Sequence, residues 1–474
     1  MRIILPLLLF TATLAAQTAD SLSLERFLQL ATERSLQRQA AERDQALATL
    51  DNRSFRASLL PQLRATANVP NYNKTFSEIT QPDGTVRFQP VQNNNSALGL
   101  ALTQVLPLTG GTVFVQSNLQ RFDDFETDFS LYNGLPFRVG LSQPIFAYNA
   151  IKWERQLAPL RLQEAQRQYT LQLEQLRVTA TQLYFDLLLA SQESRIADTN
   201  FVANERLYAI AQERYALGKV SRRDLLQLEL EKLSAQRGQL RARQEYDQAS
   251  AALAVFLGED PNQHRYRPVE PSRELPVLEL DENTALAWAR ARRPEWLAVQ
   301  RRQLEARQQL ARARRTDGPE LQLTAAFGRV RSSGDLADIY QDALPEAFVE
   351  LQVNVPIFDG GQRRARVQQA VVSQAYTEAA VQREILDLES QVRNTLRDFR
   401  SLEQELGLVQ QLRELTEERF RITTESYVLG ATPLTELTLA QREKDGAART
   451  YVAALRAYWL TVADLRQLTL GQWQ

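Results

Sequence analysis

Gln143-Pro144-Ile145-Phe146 returns as Val355-Pro356-Ile357-Phe358, and Tyr215-Ala216-Leu217-Gly218 returns as Tyr427-Val428-Leu429-Gly430. Pro356 follows Pro144 by 212 positions, and Gly430 follows Gly218 by the same 212. Two motifs with one offset, kept over about seventy residues, mark a structural unit used twice, so the fold carries internal pseudo-symmetry.

Each copy of the unit is a short alternating segment followed by a long helical one. Residues 151–216 contain no Gly and one Pro, Pro159. Leu157, Leu160, Tyr169, Leu173, Leu176, Leu183, Leu187 and Ile196 recur there by threes, fours and sevens, the spacing of a helix. At 1.5 Å per residue this predicts a rod of about 100 Å. Residues 362–428 repeat it, with Gly407 as a weak point. Shorter helices are expected from Gly218 to Phe256 and from Gly430 to Leu470, each folding back on its long partner. Residues 22–58 read as a further helix that Pro61 breaks, and residues 283–315 repeat it up to Pro319. Here the offset is 258: Leu286, Trp288 and Ala289 answer Leu28, Leu30 and Ala31.

The offsets differ by 46, so the first half holds 46 surplus residues between Pro61 and Pro144. Both stretches before the long helices alternate with period two, the pattern of strands. The clearest runs are Leu98-Leu100-Leu102, Val113-Val115, Phe137-Val139-Leu141, Leu321-Leu323-Ala325-Phe327 and Val349-Leu351-Val353-Val355. They are long enough for tilted strands that cross a bilayer. Segments 70–96, 123–134 and 331–346 are polar and rich in turn residues, and read as loops.

Composition removes whole function classes. With 56 basic and 57 acidic residues the net charge is −1, and no sustained basic segment offers itself to nucleic acid. There is no Cys and a single His, His264, which argues against a thiolate metal site, a zinc enzyme or a Ser-His-Asp triad. Asp359-Gly360-Gly361 lacks the Gly-Lys-Ser/Thr of a phosphate loop and reads as a strand-to-helix turn. The expectation is no enzyme, no cofactor and no metal. Met1-Arg2 followed by an apolar run to Ala16 reads as a secretory signal peptide.

In order and in duplicate, these motifs resemble the TolC-like outer membrane factor family. The carriers are Leu22-Ser23-Leu24-Glu25-Arg26-Phe27, the segment Val353 to Arg364 with its Pro356-Ile357-Phe358-Asp359-Gly360-Gly361, and the two Tyr-x-x-Gly turns followed by Asp224-Leu225-Leu226 and Glu436-Leu437-Thr438. The resemblance implies a mainly α fold with a membrane β-barrel part, in which long antiparallel helical hairpins form an α-barrel tunnel and a homotrimer shares one transmembrane barrel. It implies an outer membrane location, a large periplasmic part, and export in company with a periplasmic adaptor and an inner-membrane pump of RND or ABC type. The segments it implies are a signal peptide (1–16), a periplasmic helix (17–60), a first barrel segment (61–146), a first hairpin (147–257), a Pro-rich linker (258–282), a helix of the second repeat (283–318), a second barrel hairpin (319–358), a second hairpin (359–470) and a tail (471–474). The family pattern favours four strands per chain; the surplus runs 97–106 and 112–122 either raise this to six or lie outside the barrel. A soluble periplasmic scaffold or adaptor is the competing reading.

Candidate site residues lie at the two turns. Tyr215, Gly218, Tyr427 and Gly430 would form tip turns that an adaptor docks on, although Tyr residues there also serve packing and Gly residues end helices with a positive φ. Arg222, Arg223, Asp224, Thr432 and Glu436 would form the gate. Asp224 and Glu436 are either acidic rings of a pore or acids that stabilise a helix N-terminus. Phe122, Phe125, Phe129, Phe137, Phe146, Tyr340, Phe348 and Phe358 read as an aromatic girdle.

Overall fold

A computed structural model describes residues 20–271, 280–429 and 431–470. The expected signal peptide, the Gly430 turn residue, part of the Pro-rich linker and the tail lie outside the described residues. The chain opens with β1 (Asp20–Leu22), α1 (Leu24–Arg34) and α2 (Leu36–Ser58). Strands β2 (Gln62–Asn68), β3 (Tyr72–Thr80), β4 (Val86–Val105), β5 (Thr112–Asp124) and β6 (Phe129–Ile145) follow. Then come α3 (Ala150–Ala216), α4 (Arg222–Leu257), β7 (Tyr266–Pro268), α5 (Glu282–Arg292) and α6 (Pro294–Arg315). The chain closes with β8 (Glu320–Ser333), α7 (Leu336–Gln341), β9 (Leu344–Asn354), α8 (Gln362–Val428) and α9 (Leu434–Thr469).

The duplication is kept to the residue in the helices. α3 and α8 have 67 residues each, and α4 and α9 have 36 each. α3 and α8 run unbroken through Pro159 and Gly407 respectively. α1 and α5 have 11 each and are capped alike: Ser23 Oγ accepts from Arg26 N at 3.2 Å, and Asp281 Oδ2 accepts from Asn283 N at 3.1 Å. Such caps satisfy backbone donors that the first turn leaves free.

Two compact units assemble from several segments each. The first comprises residues up to 45, 166–294 and 385–474. Its core is built on Phe27, Tyr184, Phe185, Leu253, Phe399 and Tyr458, all fully buried, so α1, α3, α4, α8 and α9 each contribute. The Phe27 and Tyr184 rings stack with centroids 6.2 Å apart. Tyr184 Oη donates to Leu22 O at 3.0 Å and also to Val269 O. That ties the parallel β1–β7 pair to the helices. Burial pushes its phenol up to about 12. α5 is fastened to α8 by charge: Arg290 pairs with Glu389, and Arg393 bridges Glu389 at 3.3 Å and Glu282 at 2.9 Å.

The second unit comprises residues 46–165 and 295–384. It contains one sheet with the strand order β2-β4-β5-β6-β8-β9, and β3 pairs the far half of β4 beyond β2. All pairings are antiparallel. Both surplus runs lie inside the ladder, so the preference for four strands gives way to six strand positions. Segment 70–96 is also corrected: β3 pairs with β4 from Tyr72↔Asn94 to Thr80↔Val86, around a turn in which Asp83 Oδ1 accepts from Thr85 N at 3.0 Å. Segment 123–134 is mostly strand, and segment 331–346 holds α7, whose Ile339 is buried against Gly134 of β6. In α6, Arg301 holds Glu164 of α3 at 2.6 and 3.1 Å, and Arg302 pairs with Glu384 of α8.

The Glu389 carboxyl lies below the usual carboxylate range, chiefly because Arg290 donates to it, with the Arg393 charge adding to the effect. A depressed acid stabilises the fold above its unfolded pKa and loses that contribution as pH falls through its folded one. Glu389→Gln should therefore lower the unfolding midpoint at pH 7, and the two proteins should converge as pH falls below about 4. A urea titration series across pH checks this.

Candidate functional site

Two places carry chemistry: the faces of the sheet and the tip turns. Period-two alternation sends successive side chains to opposite faces, and the register carries that alternation across every strand. Leu63, Leu102, Val115, Val139, Phe327 and Ala347 stand in one row, each paired with the next. Val113, Leu141, Ala325 and Val349 form the neighbouring row on the same face. Among the described residues nothing covers these two rows: Val349 is 76% and Leu351, beside it on this face, 55% exposed.

The opposite face is more polar, though not throughout. Its matching row is Arg64, Ala101, Gln116, Arg138, Gly328 and Glu346. The next row on this face holds Thr103, Phe114, Gly140, Ala326 and Phe348, and the one after it Thr112, Ser142, Thr324 and Glu350. Arg138 reaches across β8 to Glu346 with a contact of 2.5 Å. Gly328 lies between them, and a Cβ there would stand 2.5 Å from Phe137 O, so the close approach of β6 and β8 requires glycine. Aromatic residues mark both ends of the strands. Phe125, Phe129 and Tyr340 are exposed at one end, and Phe146 and Phe358 at the other.

At the first tip Gly218 ends α3 with φ +68°, and Lys219 N donates back to Arg214 O at 2.9 Å. That left-handed residue favours glycine. Ser221 caps α4: its Oγ accepts from Asp224 N at 3.2 Å and donates to Asp224 Oδ2 at 2.6 Å. Asp224 is thus engaged in the cap. Arg223 Nε approaches it only to 3.7 Å and is 93% exposed along its side chain. Arg222 is exposed and makes no ion pair among the described residues. At the second tip Pro433 occupies the cap position without a side-chain hydrogen bond, Thr432 is half-buried and Glu436 is exposed. Tyr215 is exposed and Tyr427 half-buried. Gly430 lies outside the described residues. The chain brings Asp224 to Ser221, and no described ion pair joins Arg222 or Arg223 to Glu436.

Sequence reasoning missed what lies beneath the tips. Ala211, Leu225 and Leu228 are buried together, with Leu207, Tyr208 and Leu434 packed against them. Leu434 opens α9, so this small core joins the first tip to the second hairpin. The i, i+3 spacing of Leu225 and Leu228 was the available signal. A polar node was also missed: Asn200 donates to the buried Asp445 at 2.6 Å and accepts from Gln441 at 2.6 Å.

At the head of α8 the acceptors of Asp359 take the amides of Gly361 at 2.9 Å and Arg363 at 2.8 Å. Those bonds hold the Asp359 carboxyl below its ordinary value. A phosphate would need the same amides, so the residues act as a turn. Among the described residues no helix is long and apolar enough to cross a membrane, and no group of three or more His, Cys, Asp or Glu residues is placed to hold a metal ion.

The family described as outer membrane efflux protein matches residues 27–259 and 286–471. The alkaline protease secretion protein AprF of Pseudomonas aeruginosa is 25% identical over 282 residues, 59% of this chain and 56% of that protein. Protein CyaE of Bordetella pertussis is 27% identical over 267 residues, 53% of this chain and 55% of that one. The chain thus matches about half the length of these curated relatives. Among solved structures, the CmeC outer membrane channel of Campylobacter jejuni superposes with a TM-score of 0.68 at 16% identity, covering 94% of this chain and 85% of that one. The open-state MtrE outer membrane channel of Neisseria gonorrhoeae gives 0.62 at 18% identity, covering 94% and 89%. These last two are likenesses of fold.

Ser221→Ala should destabilise the start of α4 by about 1 kcal/mol, the usual cost of losing such a cap. Amide exchange at residues 222–226 should quicken roughly fivefold, while the amides of the Phe27–Tyr184 core keep their rates.

Proposed function

We infer the function of this chain from a plain premise: it belongs to the outer membrane efflux protein family. The observation that carries the reading is the uncovered apolar face running across six strand positions, opposite a more polar one. Water is a poor solvent for the first face and hydrocarbon for the second. A sheet that curls so that lipid meets the apolar side and water fills the polar side satisfies both.

One chain cannot complete that barrel. Among the described residues β9 and the β2–β3 position are the edges of the sheet, with no strand beyond them, and hydrocarbon offers no water to satisfy the backbone groups there. Several copies must close the ring, and a homotrimer would give eighteen strands. The exposed Phe and Tyr residues at the strand ends would sit at the two interfaces of the outer membrane. The paired hairpins would form a periplasmic tunnel with the tip turns at its far end. There Arg222, Arg223, Asp224, Thr432 and Glu436 would line the gate, and Tyr215, Gly218, Tyr427 and Gly430 the turns that a periplasmic adaptor grips. Energy for export would come from an inner-membrane pump of RND or ABC type, and the channel itself would be a passive duct. The scaffold reading loses ground on the same observation, because a soluble protein rarely leaves so large an apolar face bare.

Fractionation tests the location: the mature chain should leave cells with the outer membrane and not with the soluble periplasm. Leu351→Arg should cost the assembled barrel about 2–4 kcal/mol, the penalty for an arginine facing lipid near the midplane. Gln352→Arg, one residue on and facing the other way, should be tolerated; refolding into lipid vesicles reads both. In planar bilayers the wild-type chain should conduct, and Arg222→Ala, Arg223→Ala and Asp224→Ala combined should raise single-channel conductance. Unchanged conductance would reduce Asp224 to its capping role.

A further inference from the structure

The end of the sheet from which the long helices leave carries an unbalanced charge. α6 closes on Arg312, Arg314 and Arg315, and α8 opens with Arg363, Arg364 and Arg366. The two runs meet: Arg363 Nη2 donates to Arg314 O at 3.2 Å, and Arg366 pairs with Asp317. Arg314, Arg363 and Arg364 line one open cavity of about 910 Å³, together with Pro356, Ile357 and Asp359.

Residues 312–320 and 359–366 together hold six Arg and three acids, so positive charge is in excess. Two of the acids are already engaged. Asp317 is held by Arg366, and Asp359 takes the amides of Gly361 and Arg363. The third, Glu320, opens β8. Arg312, Arg314, Arg315 and Arg364 pair with no acid among the described residues. The excess is not a by-product of the duplication. By the offsets of 258 and 212, the counterparts of the six are Ser54, Arg56, Ala57, Ile151, Lys152 and Glu154.

Just before the second run the chain is bare and apolar. Ile357 is 97% and Phe358 90% exposed. They follow on β9, whose Leu351 and Val353 stand on the apolar face of the sheet. Apolar side chains beside a cationic cluster match the boundary of a bilayer, where acyl chains give way to phosphate.

A second copy would not supply the missing negative charge. β2 lies at the other edge of the sheet, and residues 52–77, which contain it, hold no Asp or Glu. They hold Arg53, Arg56, Arg64 and Lys74. Pairing edge to edge would set positive charge beside positive charge. Phosphate is the better match, because guanidinium groups grip it through charge-assisted hydrogen bonds made in pairs.

We propose that Arg314, Arg363 and Arg364 bind the phosphate of an anionic glycerophospholipid at the periplasmic end of the sheet, with Ile357 and Phe358 set among its acyl chains. The site rests on the reading above in which the sheet crosses the outer membrane, and it names a lipid that the reading leaves open.

Native mass spectrometry of the mature protein, incubated with equal amounts of phosphatidylglycerol and phosphatidylcholine, tests this. The wild-type protein should retain phosphatidylglycerol about tenfold over phosphatidylcholine. R314Q/R364Q should lose that preference while still conducting in planar bilayers, and R314K/R364K should keep it. I357S/F358S should lower retention of both lipids alike. Equal retention of the two lipids by the wild type, or an undiminished preference in R314Q/R364Q, overturns the site. Release of the lipid by excess inorganic phosphate also overturns it, since the occupant would then be a free anion. So does loss of the oligomer in R314Q/R364Q at unchanged lipid retention, which would assign the arginines to a neighbouring copy. A wild-type chain that conducts without lipid preference loses only this site. One that neither conducts nor enters bilayers loses the channel reading as well.

Discussion

Unpaired backbone at the edges of an open sheet is the constraint on which the rest depends. In water the edge groups of β9 and β2 could be solvated. Beside an apolar face meant for hydrocarbon they cannot be, and each unpaired group there costs several kcal/mol. On the reading proposed above, a sheet with this face meets other copies of itself. The first unit ends in the same condition, since α4 and α8 each carry a bare leucine stripe. On that reading a single chain is a sector of a larger object in both units, for two separate physical reasons.

Duplication followed by unequal change explains much of the detail. The helices kept their lengths, while the sheet gained two strand positions in the first half only. At the tips, Ser221 caps α4 but Pro433 stands at the start of α9 without a side-chain bond. Between the hairpins, half-buried Asn200 and Gln441 form a polar node with buried Asp445, and its counterparts include Leu412 and Leu233. A polar node of this kind fixes register at some cost in stability.

The helical layout was legible because helix periodicity is long and redundant, and because Pro61 and Pro319 stop two helices sharply. The alternation at Leu98–Leu102 and Val113–Val115 was equally plain as strand, but it left open whether those strands join the barrel or lie outside it. The preference for four came from family habit set against that alternation. Segments 70–96 and 123–134 were misread for a different reason. Their strands are largely polar and alternate only briefly, as at Val86-Arg87-Phe88-Gln89, so the hydrogen-bond pairing is what identifies them as strands. At the tips, Gly218 and the Ser221–Asp224 cap are local and can be read from spacing. The i, i+3 spacing of Leu225 and Leu228 marks a face to bury, but it does not name Leu434, about two hundred residues on, as what packs there.

The pairing of β6 with β8 has a consequence for how the chain reaches its final form. β2 to β6 zip up through short hairpins, each new strand arriving just after its neighbour. The strand that completes β6 arrives only after α3, α4, α5 and α6 have been delivered. Contacts so distant in sequence form late, since a long loop must close before they reward it. For that interval β6 presents a sticky border, open to another chain's strands as much as to its own β8. The long helical insert thus sets the timing of barrel closure, and a slow step in folding the hairpins would be felt as aggregation at the sheet.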